Sequence, residues 1–191
     1  MSVSKENKEV ARTAVNIFGG KPYVFKYRDD NQVSSIDILS CEDKNFEGVL
    51  SYSTLGLSDF ANRYEENTIP LRVELVGASD FECFPNILAT CAFNIINSNF
   101  ECTFGTIFKD VVKMYLPNSS MKHILFLSPY LWGDKFNTKN FEKKEVAWLM
   151  AIPISEQEKH YADNNGVEAL EELLFELNQI NVFDLERTSV R

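Results

Sequence analysis

Residues 56–60, Gly-Leu-Ser-Asp-Phe, set a hydroxyl beside a carboxylate at the end of an alternating run, Ser51–Leu55. Strand ends often carry catalytic groups. Ser58 as a nucleophile is therefore the first chemistry to weigh. The segment lacks the second glycine of a G-x-S-x-G elbow, and Asp59 is too near in sequence to serve as a triad partner. The two histidines, His123 and His160, lie far along the chain. Nothing in the spacing sets a base against the hydroxyl, so a hydrolase lacks support. The alternative is that Ser58 and Asp59 cap backbone amides after the strand. Neither histidine has a second His or Cys at ligand spacing, so no metal site is expected. Phe18-Gly19-Gly20-Lys21 follows a helical pattern where a phosphate cradle would open one. Glu65-Glu66 and Glu171-Glu172 fit solvated faces better than an acid/base pair. The expectation is a protein with no catalytic residues, no metal and no cofactor, and not an enzyme.

Charge says more. The 191 residues carry a net charge of −9. Binding bare nucleic acid needs cationic groups to displace condensed counterions, so nucleic acid is an unsuitable partner. Between Ser155 and Glu186 there are nine acids and one base, Lys159, leaving −1 for the rest of the chain. Such an acidic face either aids solubility or docks a basic protein, whose association it can accelerate about 10–1,000-fold at low salt. Cysteines 41, 83, 91 and 102 form no C-x-x-C pair and read as buried thiols of a cytosolic protein. The apolar run Val146–Ile154 is well short of the ~20 residues of a membrane span. The N-terminal segment lacks the apolar stretch of a signal peptide, so a cytoplasmic location is expected.

The elements that must position these groups follow from periodicity. A helix is expected over about 3–18, with Val3, Val10, Ala14 and Ile17 near one stripe and Gly19 as a left-handed cap. Tyr23, Phe25 and Tyr27 alternate in a strand. Asp29-Asp30-Asn31 supplies a turn, and strands through Ile36–Ser40 and Gly48–Leu55 complete an antiparallel meander. Ile69–Gly77 alternates cleanly, with Arg72 and Glu74 on the face opposite Val73 and Leu75. A helix through Ile87–Ile96 begins either at a Ser79–Glu82 capping box or at Pro85. Residues 100–122 give no clear period. His123–Leu127 and Glu145–Ile154 read as central strands covered on both faces. The loop between them starts with aromatics. Ser155–Glu158 is a capping box, Gly166 breaks its helix, and Val167, Leu170, Leu173, Leu174, Leu177 and Ile180 mark an amphipathic helix. Val182–Arg187 suits a last strand. The order implies one α+β domain over residues 1–191, with a mixed, largely antiparallel sheet and helices packed on its faces.

Several of these pieces resemble the suppressor-of-fused (SUFU) domain family. They are Tyr52–Asp59, Leu71–Ser79, the helix around Asn86–Ile95, His123–Trp132, the stretch Val146–Glu176 and the closing D-x-x-R of Val182–Val190. Their order matches the family from about Val33 to Val190. The resemblance implies a non-catalytic binding protein. It also implies that a single-domain bacterial member of this size is an immunity protein (antitoxin). Such a protein neutralises a cognate toxin, here a basic nuclease of the LXG class, by protein–protein contact. A SUFU-type adaptor that binds an extended peptide is the alternative. On the family reading Asp59 stands beside a recognition cleft. Trp132 and Asp134 in the polar loop, and Glu168, Glu171, Glu172 and Glu176 on the acidic helix, are the other expected partner contacts.

Overall fold

The structure, a computed structural model, describes residues 3–61 and 69–190; the Glu65-Glu66 pair lies outside them. Helix α1 spans Lys5–Phe18. Ser4 accepts from the Asn7 amide at its start, and Gly19 closes it with a left-handed φ of 80°. Val3 precedes the helix and is exposed, while Phe18 completes the buried stripe with Val10 and Ala14. Strands β1 (Pro22–Arg28), β2 (Ser35–Glu42) and β3 (Leu50–Leu55) form the expected antiparallel meander. β4 spans Leu71–Ser79, and α2 runs over Phe84–Ser98 with Pro85 in its first turn. Ser79 therefore ends a strand instead of capping the helix, and its hydroxyl accepts from the Phe81 amide in the connecting turn.

Residues 99–120 are mostly turns around a two-residue strand, β5 (Ile107–Phe108). β6 (Met121–Leu127), β7 (Lys139–Asn140) and β8 (Glu145–Ser155) follow. Helix α3 (Glu156–Asn165) carries the complete capping box, with Ser155 and Glu158 each accepting from the other's amide. Helix α4 (Val167–Glu172) continues into a π-helical turn, Leu173–Leu177. Residues 178–190 contain no strand, so the expected last strand at Val182–Arg187 is replaced by turns. Arg187 there turns inward to Glu158 instead of joining a ladder.

One mixed sheet of eight strands runs β1-β2-β3-β4-β8-β6-β5, with β7 paired to β8. Every pairing is antiparallel except β4–β8. β4 and β8 are nearly continuous apolar runs because both their faces are covered. On one face, Ile38, Tyr52, Leu75, Ile124 and Phe126 pack under α2. Gly77 is required there, since a Cβ would fall 2.6 Å from the Phe84 ring. On the other face, Leu39, Val76, Leu125, Trp148 and Met150 pack under α1, α4 and the 130–136 segment. No helix among the described residues is long and apolar enough to cross a membrane.

Candidate functional site

The Gly56–Asp59 segment is a 3-10 turn entered through Gly56, whose φ is 90°. Its amides are satisfied by a residue that alternation alone did not single out. Glu74 of β4, fully buried, accepts from the backbone N–H of Gly56 (3.0 Å), Leu57 (3.3 Å) and Ser58 (3.1 Å), and from the Thr54 hydroxyl (2.6 Å). Burial pushes the Glu74 carboxyl up, and the Thr54, Ser58 and Gly56 bonds pull it part of the way back. Ser58 and Asp59 thus do not supply the caps. Lys144 donates to the carbonyl and hydroxyl of Ser58, both at 3.1 Å, and to Asp59 Oδ1 at 2.6 Å. Asn7 of α1 donates to Asp59 Oδ2 at 2.7 Å. Both Asp59 oxygens are therefore engaged within the chain. The neighbouring cleft, about 280 Å³, also holds Arg72, Lys143 and Lys144. Glu6 and Asp59 line it too, so the cleft is of mixed charge.

Trp132 points into the core. It is only 2% exposed, and its Nε1 donates to Asp43 Oδ2 at 2.7 Å. Its ring packs against Phe18 and Phe136 at 5.3 and 5.4 Å between centroids. It joins the polar loop to the core. A backbone kink at Gly133 (φ 58°, ψ −148°) leaves Asp134 exposed beside it.

The four glutamates do converge. Glu168, Glu171, Glu172 and Glu176 line a concavity of about 220 Å³ together with Tyr130 and Phe175. The two rings sit 4.5 Å apart, inclined at 51°. Among the described residues no lysine or arginine pairs with these carboxylates. Partial burial pushes the Glu171 carboxyl up, and the like charges of Glu168 and Glu176 push it further. The π turn shapes the end of this surface. Its wider winding breaks the 3.6-residue register, so Leu177, expected inward, is 68% exposed beside Glu176. The Asn178 side chain closes the turn by donating to the Leu173 carbonyl at 2.6 Å. Tyr130, 37% exposed, was not singled out in the sequence, although the aromatic start of its loop was visible there. Asp59 and Asp134 are not in this lining.

The histidines share one carboxylate. His123 Nδ1 accepts from the Asp110 amide at 2.9 Å, so its protonated Nε2 donates to Glu156 at 3.0 Å. His160 lies 3.3 Å from the other Glu156 oxygen. Both ring nitrogens of His123 are thereby committed within the chain.

The chain is 53% identical to immunity protein YqcF of Bacillus subtilis (strain 168), with full coverage of both chains. A crystal structure of a SUFU homologue from Neisseria gonorrhoeae superposes with a TM-score of 0.75 at 18% identity, covering 97% of this chain and 96% of that one. The Sufu–Fu complex structure gives a TM-score of 0.67 at 11% identity, over 96% and 91% of the two chains. Drosophila Suppressor of Fused gives 0.67 at 12%, over 99% of this chain and 54% of its own. The suppressor of fused protein (SUFU) family profile matches residues 32–188. On that match and its close relative, this chain belongs to the suppressor of fused family and is a non-catalytic binding protein.

Proposed function

We propose that this chain is a cytoplasmic immunity protein, which binds a cognate protein toxin and neutralises it by covering its working surface. The 53% identity to an immunity protein along the whole chain supports the role. One structural observation carries the mode of binding. Four carboxylates without ion-pair partners among the described residues surround the Tyr130–Phe175 pair, with Leu177 exposed beside Glu176. Charge around an apolar centre is the arrangement that steers a partner and then holds it. A toxin that cleaves nucleic acid must present cations to phosphates, so the acidic surface fits a basic nuclease, here assigned to the LXG class. Asp134 extends the contact on the loop side. Asp59 is proposed only as a peripheral contact, because Lys144 and Asn7 already hold it.

Two measurements test this. Co-expression with its cognate toxin should restore growth, and failure to rescue would sink the immunity role. The association rate of the purified pair should fall steeply with added salt, as it does for electrostatically steered encounters. A salt-independent rate would leave the role standing but remove the acidic surface from it.

A further inference from the structure

The two edges of the sheet are protected differently. At one end β5 is only two residues long, which leaves little backbone open to pairing. At the other, β1 runs for seven residues, and among the described residues no strand pairs outside it. Tyr23, Val24 and Phe25 are 52, 53 and 58% exposed. Alternation predicted a strand here, and most of its aromatic face lies open.

The backbone defines what can pair with it. The Asp29 amide donates to the Ser34 carbonyl at 3.1 Å, in line with the β1–β2 register. In an antiparallel ladder the bonding residues alternate. Tyr23, Phe25 and Tyr27 therefore bond inward to β2, while the amides of Val24, Lys26 and Arg28 face out. Charges along the edge are polarised. Lys21 stands at the start, 5.4 Å from the Tyr23 ring, with no carboxylate partner among the described residues. Arg28, Asp29 and Asp30 stand at the other end, which keeps one net negative charge; Asp29 also accepts from the Val33 and Ser34 amides and from Asn97, and Lys26 is matched by Asp37 at 2.6 Å.

We propose that the β1 edge binds a second copy of this chain, antiparallel, about a twofold axis at Phe25. That register sets Phe25 against its counterpart and Tyr23 against Tyr27 of the partner copy. It also lays Lys21 of each copy opposite Asp29 of the other. Shifting the axis one residue toward the C-terminus would set Lys26 against Lys26. Self-pairing about a twofold uses the same patch twice and closes without leaving an edge. The contact is small, so the dimer is weak, with a dissociation constant in the micromolar range. The acidic surface lies on other elements, α4 and the 173–177 turn, and remains open in the dimer.

Sedimentation velocity of the full chain over a concentration series should show a reversible monomer–dimer equilibrium that weakens with salt. Opposed residues of a non-hydrogen-bonded antiparallel pair have Cα atoms about 4.5 Å apart, within the range for a disulfide. Phe25→Cys should therefore form a covalent dimer on mild oxidation at least tenfold faster than Tyr23→Cys, which faces position 27 of the other copy. Val24→Pro, which removes one outward amide, should be monomeric with an unchanged melting temperature. A wild-type chain that stays monomeric at several hundred micromolar overturns the proposal, including the case where the edge instead takes up a toxin segment. Equal cross-linking of the two cysteine variants also overturns it.

Discussion

Arg187 gives the sharpest test of how the segment after α4 is held to the core. Its guanidinium donates to both Glu158 oxygens, at 2.7 and 2.8 Å, and to the Pro153 carbonyl at 2.9 Å. Glu158 is fully buried and also accepts from the Ser155 and Val190 amides. Arg187→Ala leaves that carboxylate buried without its counter-charge. Breaking one side of a buried pair costs about 3–5 kcal/mol. The two remaining amide donors place the loss near the lower end, about 3 kcal/mol. In a chain of this size each kcal/mol moves the melting temperature by about 2–4 °C, so a fall of about 6–12 °C is expected. Urea unfolding should agree, with an unchanged slope. The double variant Arg187→Met/Glu158→Gln should lose less than Arg187→Ala alone, because no orphan charge remains and the Gln carbonyl can still accept from a backbone amide. A loss below about 1 kcal/mol, or additive losses in the pair, would refute the reasoning.

Three further outcomes follow from the geometry. Glu171→Lys/Glu172→Lys should slow toxin association about tenfold or more at low salt and change dissociation little, read by stopped-flow mixing. Glu171 already holds its proton to higher pH than an ordinary carboxylate. A cationic partner favours the ionised form, so complex formation should release protons and weaken as pH falls through that raised value, measurable by calorimetry in buffers of different ionisation enthalpy. Glu74 is likewise raised in the folded chain, so its proton stabilises the fold fully below the ordinary value near 4.5, and that contribution is lost as pH rises through the folded value. The stability of wild type relative to Glu74→Gln should therefore decline from acid toward neutral pH, and a flat difference would contradict the raised carboxyl.

Features governed by near neighbours were legible in the sequence. Gly19 ends α1, Pro85 begins α2 and Ser155–Glu158 caps α3 because each device spans only a few residues. The α+β class and the central place of β6 and β8 follow from the same kind of local pattern. Distant partners were not legible. Alternation set Glu74 opposite the Leu75 face, but nothing local says that the Gly56–Ser58 amides come to it from sixteen to eighteen residues away. Trp132 sits in a polar loop, and its acceptor Asp43 lies 89 positions earlier. Leu177 fits a straight helix, and only the π turn takes it out of register. The acidic helix was visible as a charge run. Its pairing with Tyr130, brought in from the end of β6, was not.

The β4–β8 ladder also governs how the chain is made. It is the one pairing that joins the β1–β4 half of the sheet to the β5, β6 and β8 half, and it matches residues 71–76 with 145–150. A ribosome adding about 5–20 residues per second spends roughly 4–15 s between those two segments. Throughout that interval the nascent chain holds an apolar strand whose future neighbour does not yet exist. Chaperone engagement during synthesis is expected to centre on β4. Arg187, which locks Glu158, is made after every strand of the sheet, so a chain truncated before it should be cleared by proteolysis and not accumulate.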